Sequence, residues 1–342
     1  MITKRELLRH VLNTKIRADL LEKHYIMELI LVALEECPSA SGKFFLKGGS
    51  AVHMCFEDYA REKNGRFAVN KDTIHRYFSE GRFSGDIDLT TVPDMMDEKK
   101  LRRAFHEVSD WMVRNMEIEM PKDGMSFPVH NQRKNPERRN VRGEVKFKGP
   151  LFDKNKNFGL SHLKIDISDN DALVLPSARS PIFYPFSDIS MVGRGYPMAR
   201  TYDFAEVFAE KFRAFNERSS AKDMYDVVNM AKGKTYHDNF GRIVACLGPK
   251  FERKKMTMPE SLGATMSERR GDIQDSWDDH LMLQVSVEHG RAISFDEYFM
   301  RALDVSHSLL AAYRQYVNDG GKASEGDDLA TARLRRIKAE RE

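Results

Sequence analysis

Asp86 and Asp88, two positions apart in Arg82-Phe83-Ser84-Gly85-Asp86-Ile87-Asp88-Leu89-Thr90, are the side chains best suited to chemistry in this chain. Side-chain direction alternates along a strand, so two aspartates at this spacing project from one face. Two carboxylates held that way offer the hard oxygen ligands that Mg²⁺ prefers and Mn²⁺ also takes. Upstream stands Gly48-Gly49-Ser50. A turn of small residues lets a phosphate come close to backbone N–H groups, and the Ser50 hydroxyl adds a further donor. Together these features predict metal-assisted chemistry on a nucleoside triphosphate. Taken singly, each has a plain alternative: two solvated aspartates at a strand end, and an ordinary tight turn.

Three further sites have the right chemistry and a weaker pattern. In His162-Leu163-Lys164-Ile165-Asp166-Ile167-Ser168 the apolar residues 163, 165 and 167 share one face, and Lys164, Asp166 and Ser168 share the other. Asp166 is then either a solvent-facing strand residue or the third carboxylate of a site able to hold two metal ions. In such a site one ion activates the attacking hydroxyl and the other stabilises the leaving group. Lys211 falls inside the apolar stripe of Phe204, Val207, Phe208, Phe212 and Phe215. A lysine there either snorkels to the surface or enters a cleft as a point charge for phosphate oxygens. Asp223 and Asp226 are spaced i, i+3 on the next helix, opposite Ala221, Met224, Tyr225 and Val228. They form either a solvated helix face or the wall of a cleft, where they would orient a base or an acceptor hydroxyl.

The elements that must position these residues follow from periodicity and breakers. Residues 4–36 read as helix, Phe44-Phe45-Leu46 as a short buried strand, and 51–59 as the opening of a helix. Residues 61–81 read as a polar, irregular insertion, 86–91 as a strand, and 96–118 as a helix. The stretch 121–150 carries prolines, glycines and the basic residues Arg133, Lys134, Arg138, Arg139, Arg142, Lys146 and Lys148. Its basic part, 133–148, is either an ordinary exposed loop or a grip on the phosphate backbone of an acceptor RNA. Residues 163–167 alternate as a strand does, and Pro176, Pro181 and Pro185 punctuate a loop after them. Helices are expected at 203–217, 221–232 and 293–317, with a long loop over 248–276. The fold class is α+β: a nucleotide-handling domain over residues 1–200 with an insertion near 56–81, a helical domain over 201–317 that completes the active-site cleft, and a charged tail over 318–342.

Composition bounds the rest. A chain of 342 residues with 41% hydrophobic residues can build two cores, at roughly 150 residues per domain. A net charge of +3 permits a nucleic-acid partner without requiring one. Cys37, Cys55 and Cys246 lie far apart with no CxxC spacing, which argues against structural zinc and a disulfide framework and for a reducing compartment. No segment approaches the about 18 uninterrupted apolar residues of a membrane span. The N-terminus MITKRELLRHVLNTKIRADLLEKH lacks the apolar region of a signal peptide. The expectation is a cytoplasmic protein with no membrane partner.

Four segments, read together, resemble a known family. Phe45-Leu46-Lys47-Gly48-Gly49-Ser50-Ala51 is similar to its opening glycine turn, and Arg82 to Leu89 to its metal motif. Leu163-Lys164-Ile165-Asp166-Ile167 is similar to the strand with its third carboxylate. Glu206 to Ala214, with Ala221-Lys222-Asp223-Met224-Tyr225-Asp226, resembles its helical signature. The family is that of the AbiEii/AbiGii-type nucleotidyltransferases, toxins of toxin–antitoxin and phage-abortive systems within the DNA polymerase β-like nucleotidyltransferase superfamily. Its relatives include the MenT toxins, which modify tRNA. The resemblance spans about residues 24–232.

It implies a polymerase β-like nucleotidyltransferase domain with a small mixed sheet, followed by a mainly helical C-terminal domain. By the same resemblance Asp86 and Asp88, with Asp166, would bind Mg²⁺. Gly48, Gly49 and Ser50 would hold the triphosphate, Lys211 would contact the nucleotide, and Asp226 or Asp223 would assist the transfer. A group placed on Ser84 would crowd the metal site, a route by which some antitoxins are thought to silence related toxins. A cognate antitoxin would be a partner. The implied reaction moves a nucleoside monophosphate from an NTP to an acceptor, with the 3′ end of tRNA preferred. A protein side-chain hydroxyl is the alternative acceptor, and a non-catalytic nucleotide- or partner-binding module is the alternative class. Two departures stand out: the interval from Ser50 to Asp86 is long for the family, and Lys222 occupies a position usually held by arginine.

Overall fold

The computed structural model describes residues 1–54, 61–63, 66–68, 81–132, 135–153, 160–169, 173–182, 198–261 and 263–321. These fall into two compact units. The first comprises Met1–Asp171, Ser177–Tyr202 and Met282–Ala292; the second comprises Ala172–Pro176, Asp203–Leu281 and Ile293–Glu342.

The first unit is built on a mixed sheet. Its strands are β1 (Phe44–Lys47), β4 (Asp86–Thr91), β5 (Val129–Gln132), β6 (Asn135–Phe147), β7 (Ser161–Asp169), β8 (Ala178–Pro181) and β9 (Met198–Thr201). They form a 7-stranded sheet in the order β5-β6-β7-β4-β1-β9-β8. The pairs β4–β7 and β1–β9 are parallel, and the other neighbours are antiparallel. Helices α1 (Lys4–Thr14), α2 (Ala18–Glu36), α3 (Gly48–Met54) and α4 (Glu98–Met116) accompany it. The single helix expected over 4–36 is thus two, parted where Lys15 takes the left-handed conformation at φ 56°. α2 is buried on nearly all sides, with Glu22, His24 and Glu28 among its buried residues, and lies against β4, β7 and β9, whose Ile87, Leu89, Ile165 and Ile167 belong to the core. α4 keeps an apolar stripe of Leu101, Phe105, Val108 and Met112, and Asp97 caps its N-terminus by accepting from Lys100 N–H at 3.0 Å.

Three readings of the sequence need correction here. The basic stretch expected as a loop contains β5 and β6, and β6 pairs with β7 from Asn140 to Phe147. Within it Val141, Val145 and Phe147 alternate inward while Arg142 and Lys146 face out, a period-two pattern that the density of charge conceals. The proline-punctuated segment after β7 supplies β8 and β9 at the far edge of the sheet, where proline is tolerated. Of the expected insertion, β2 (Arg61–Lys63) and β3 (Arg66–Ala68) form an antiparallel pair rather than irregular chain, and most of the remainder lies outside the described residues. The charged tail beyond residue 321 also lies outside them, as do Arg133, Lys134 and Cys55.

The second unit is helical: α5 (Phe204–Arg218), α6 (Ala221–Ala231), α7 (Lys234–Asp238), α8 (Phe240–Arg253), α9 (Gly263–Glu268), α10 (Arg270–Ser276) and α12 (Phe295–Asn318). Between the last two the chain passes through α11 (Val287–Ala292) in the first unit. The long loop expected over 248–276 is mostly helix. α8 runs through Pro249 because Ile243, Val244, Leu247 and Phe251 are buried along one side against α5, which offsets the missing N–H donor. Among the described residues no helix is long and apolar enough to cross a membrane.

Candidate active site

The residues singled out from the sequence form two clusters, one in each unit. In the first unit the register of the sheet aligns four charged residues in a row across neighbouring strands: Lys47 opposite Asp88, Asp88 beside Asp166, and Asp166 opposite Arg142. Laterally paired residues point to the same face, and residues two apart along a strand do as well, so Asp86 shares this face with Asp88 and Asp166. The opposite face of the same strands carries Ile87, Leu89, Ile165 and Ile167 into the core. Alternation thus separates chemistry from packing within two strands.

The turn after β1 is shaped around this row. Gly48 has φ +68°, and a Cβ there would lie 2.0 Å from Asp88 Oδ2. No side chain fits without displacing that carboxylate, and the left-handed backbone favours glycine in any case. Ser50 is buried, and its hydroxyl donates to the Asp86 carbonyl oxygen at 3.1 Å, which ties the turn to the start of β4. Ser84, also buried, donates to Asp86 Oδ1 at 2.5 Å. Lys47 Nζ donates to Ser168 Oγ at 2.6 Å. The Asp166 carboxyl is held above its ordinary pKa, first by burial and then by the charge of Asp86, against the pull of Arg142, Lys47 and Lys164.

The donor set is all hard oxygen and fits a small divalent cation such as Mg²⁺, which binds through one or two carboxylates and completes its shell with water and substrate phosphates. Among the described residues no group of three His, Cys, Asp or Glu side chains is placed to hold an ion unaided. A carboxylate pair completed by substrate oxygens is the arrangement these strands offer.

In the second unit Lys211, Asp223 and Asp226 come together. Lys211 is 7% exposed, so it does not snorkel, and its Nζ lies 2.8 Å from Asp226 Oδ2 and 3.4 Å from Asp223 Oδ1. Both aspartates are 2% exposed, so the polar side of α6 is not a solvated face. Arg218 adds a bidentate contact to Asp223, with Nε to Oδ2 and Nη2 to Oδ1 both at 3.1 Å. Nothing in the sequence singles out Arg218 or Lys47 as a site residue, and Arg142 stands out there only as one of a basic stretch. Arg142 follows from strand register once β6 is recognised, and Lys47 from the pairing of β1 with β4; Arg218, at the end of α5, has no periodic signal.

A family model described as "Nucleotidyl transferase AbiEii toxin, Type IV TA system" matches residues 74–301. The chain belongs to this family. The AbiEii match takes in Ser84, Asp86, Asp88, Asp166, Lys211, Asp223 and Asp226, and begins downstream of Gly48-Gly49-Ser50. Members of the family are nucleotidyltransferases, and so is this chain. Among solved structures the chain is similar to MenT4, the nucleotidyltransferase toxin Rv2826c from Mycobacterium tuberculosis H37Rv, at 18% identity over 92% of this chain and 99% of that one, with a TM-score of 0.43. No curated protein matches it.

Proposed function

We propose that this AbiEii-family nucleotidyltransferase transfers a nucleoside monophosphate from an NTP to the 3′ end of tRNA in the cytoplasm, as a toxin restrained by a cognate antitoxin. Growth arrest, in a toxin–antitoxin or phage-defence setting, is its effect. The observation that carries the reading is the row Lys47, Asp88, Asp166 and Arg142 with Asp86 on the same sheet face, bordered by the glycine turn. In the reaction an acceptor hydroxyl oxygen bonds to the α-phosphorus and the α–β bridging P–O bond breaks. Pyrophosphate leaves, and the acceptor proton is released.

Asp86 and Asp88, with Asp166 beside them, would hold Mg²⁺. Bound there, the ion supplies charge neutralisation for the triphosphate and the leaving group. The residues of this chain do the positioning. Gly48 and Gly49 admit phosphate to the backbone, and Ser50 fixes the turn against β4. For the helical unit, the likeness of Lys211 and Asp226 to family positions supports roles in contacting the nucleotide and assisting transfer, with Asp223 held by Arg218. Ser84 is the proposed point of control. Its hydroxyl is bonded to Asp86, so a phosphate or nucleotide attached there would place negative charge against the metal carboxylates.

The RNA acceptor is supported by exposed Arg142 and Lys146 on β6 and Lys164 on β7, which occupy the same sheet face as the carboxylates. Two measurements test it. Labelling of tRNA from α-labelled NTP should be lost when the 3′ terminal diol is oxidised with periodate, and tRNA affinity should fall with rising salt. Labelling that survives oxidation would remove the 3′ end as acceptor, and a labelled protein band in its place would move the acceptor to a side-chain hydroxyl.

A further inference from the structure

Lys47 ends β1 immediately before the glycine turn, and its side chain leaves the sheet on the face that bears Asp88. Its Nζ donates to Ser168 Oγ at 2.6 Å. Ser168 stands on β7, two residues beyond Asp166 and on the same face. β1 and β7 flank β4 on opposite sides, roughly 10 Å apart at the usual strand spacing. The lysine therefore reaches across the width of β4, and its ammonium comes to rest beside the row of Asp88 and Asp166. That end is anchored. Ser168 Oγ lies 3.4 Å from Thr90 Oγ1, and Thr90 Oγ1 shares a 2.7 Å hydrogen bond with the Tyr202 hydroxyl. Thr90 and Tyr202 are buried, and the Tyr202 N–H donates to the Leu46 carbonyl at 3.0 Å. The Asp88 carboxylate itself is packed against Gly48, the residue after Lys47. The cations that bear on Asp166 are Arg142, Lys47 and Lys164. Arg142 and Lys164 are exposed, where water and salt screen them, whereas Lys47 is half-buried.

We infer that Lys47 makes divalent-metal binding at this face conditional on nucleotide. The inference rests on the metal-dependent nucleotidyltransferase reading above and gives that site its control. The tethered ammonium repels a divalent ion that enters beside Asp88 and Asp166, and Ser168 keeps it there. Its charge acts through space, so Lys47 needs no vacant donor for this. A triphosphate reverses the balance. Its oxygens complete the shell of the ion, and its negative charge offsets both the ion and the ammonium. Metal and nucleotide then bind as a pair, each raising the affinity of the other by the same factor. With Lys47 made neutral, the carboxylates would take the ion more readily by themselves, and that coupling would shrink.

The test is binding of Mn²⁺ to the full chain, read from the electron paramagnetic resonance of the free ion, with melting temperatures recorded alongside. It is measured alone and with the α,β-methylene analogue of each ribonucleoside triphosphate in turn, corrected for the ion that the analogue holds in solution. The analogue cannot be cleaved, so no turnover enters. The wild type should bind Mn²⁺ roughly tenfold or more tightly with an analogue than alone, within the usual range of coupling between two sites. Lys47→Met should gain roughly tenfold in affinity for Mn²⁺ alone, the scale on which one neighbouring charge shifts the proton affinity of a carboxylate, and so narrow that ratio. Adding Asp86→Ala to Lys47→Met should abolish the gain. Lys47→Arg keeps the charge and should keep the wild-type behaviour. A merely structural role would leave Mn²⁺ affinity unchanged or lower it, and would not separate arginine from methionine. If Lys47→Met does not fold, Lys47→Gln decides by the same criterion. A folded neutral variant that gains no affinity for Mn²⁺ alone, or a gain that survives Asp86→Ala, overturns the inference and leaves the transferase reading standing. A wild type that binds Mn²⁺ as tightly alone as with an analogue does the same. A wild type that binds no Mn²⁺ in either condition overturns the metal assignment, and this inference with it.

Discussion

Lys211 and His24 show how differently a buried ionisable residue can be held in this chain. Lys211 lies beside two carboxylates that are each 2% exposed. Lys211→Ala removes the cation from that group, and breaking a buried pair in this way costs about 3–5 kcal/mol. Thermal unfolding of the variant should show a corresponding fall in melting temperature, and its activity is to be compared only under conditions where it remains folded. His24 instead loses its charge. Burial depresses its pKa to about 3, so its 3.0 Å contact with Glu28 is a hydrogen bond from a neutral imidazole and not an ion pair, although the distance alone would allow either. The unfolded chain takes up a proton near the ordinary value of 6.5 and the folded chain does not until about 3. Stability due to this residue is therefore present above the unfolded value and is lost as pH falls towards the folded one, at about 1.4 kcal/mol per pH unit. Between those limits the melting temperature of the wild type should decline more steeply than that of His24→Gln; parallel declines would contradict the assignment. At this scale the sequence was most informative where residue type and spacing coincide, as in Asp86 and Asp88. It was least informative for Lys211, where an apolar stripe marks burial and says nothing about the carboxylates that make burial tolerable.

At the scale of elements, β6 teaches the most. Its basic residues look alike in the sequence and divide sharply in the fold. Arg139 donates from its backbone and its Nε to the Asp169 carboxylate at 2.9 and 2.8 Å, and from its two terminal nitrogens to the carbonyls of Met96 and Pro93, both at 2.9 Å. It joins β6 and β7 to the turn that follows β4, and Asp169 is 3% exposed. Arg142 is exposed and sits opposite Asp166. Arg139→Ala should therefore cost about 3 kcal/mol of stability by leaving a buried carboxylate without that partner. Arg142→Ala should stay within about 0.5 kcal/mol of wild type and weaken tRNA binding instead. Melting temperature and tRNA affinity measured on both variants check this, and the account fails if the two exchange roles. Charge density makes the strand read as exposed loop, while the alternation of Val141, Val145 and Phe147 marks its buried face. The second half of α8 reads as loop for the opposite reason: Gly248 and Pro249 are local breakers, and burial of Leu247 and Phe251 on either side outweighs them. In β4 and β7, where local pattern and tertiary placement agree, the strands lie where the alternation put them.

At the scale of the whole molecule, the chain crosses between its two units several times, and Met282–Ala292 returns to the sheet unit from within the helical sequence. Nothing in the composition of that segment announces the return: Val285 is buried there, but the bonds to Arg82 and Phe83 come from the side chain and carbonyl of Gln284 and not from an apolar run. The α+β class, by contrast, was legible from strands early and helices late, and the mixed sheet only through the family resemblance. Family membership fixes the chemistry as nucleotidyl transfer, and the polar sheet face that carries the carboxylates is the place proposed for it. The most direct test of that account is incorporation of each α-labelled NTP in turn, with Mg²⁺ and total cellular RNA and protein as acceptors, by wild type and by Asp86→Ala of matched folding. Label on RNA from the wild type, with loss of at least roughly 10³-fold in Asp86→Ala, is the result expected for a carboxylate that holds the metal. Equal labelling by the two proteins would contradict the assignment of Asp86, and folded wild type that labels neither RNA nor protein with any NTP would contradict the transfer itself.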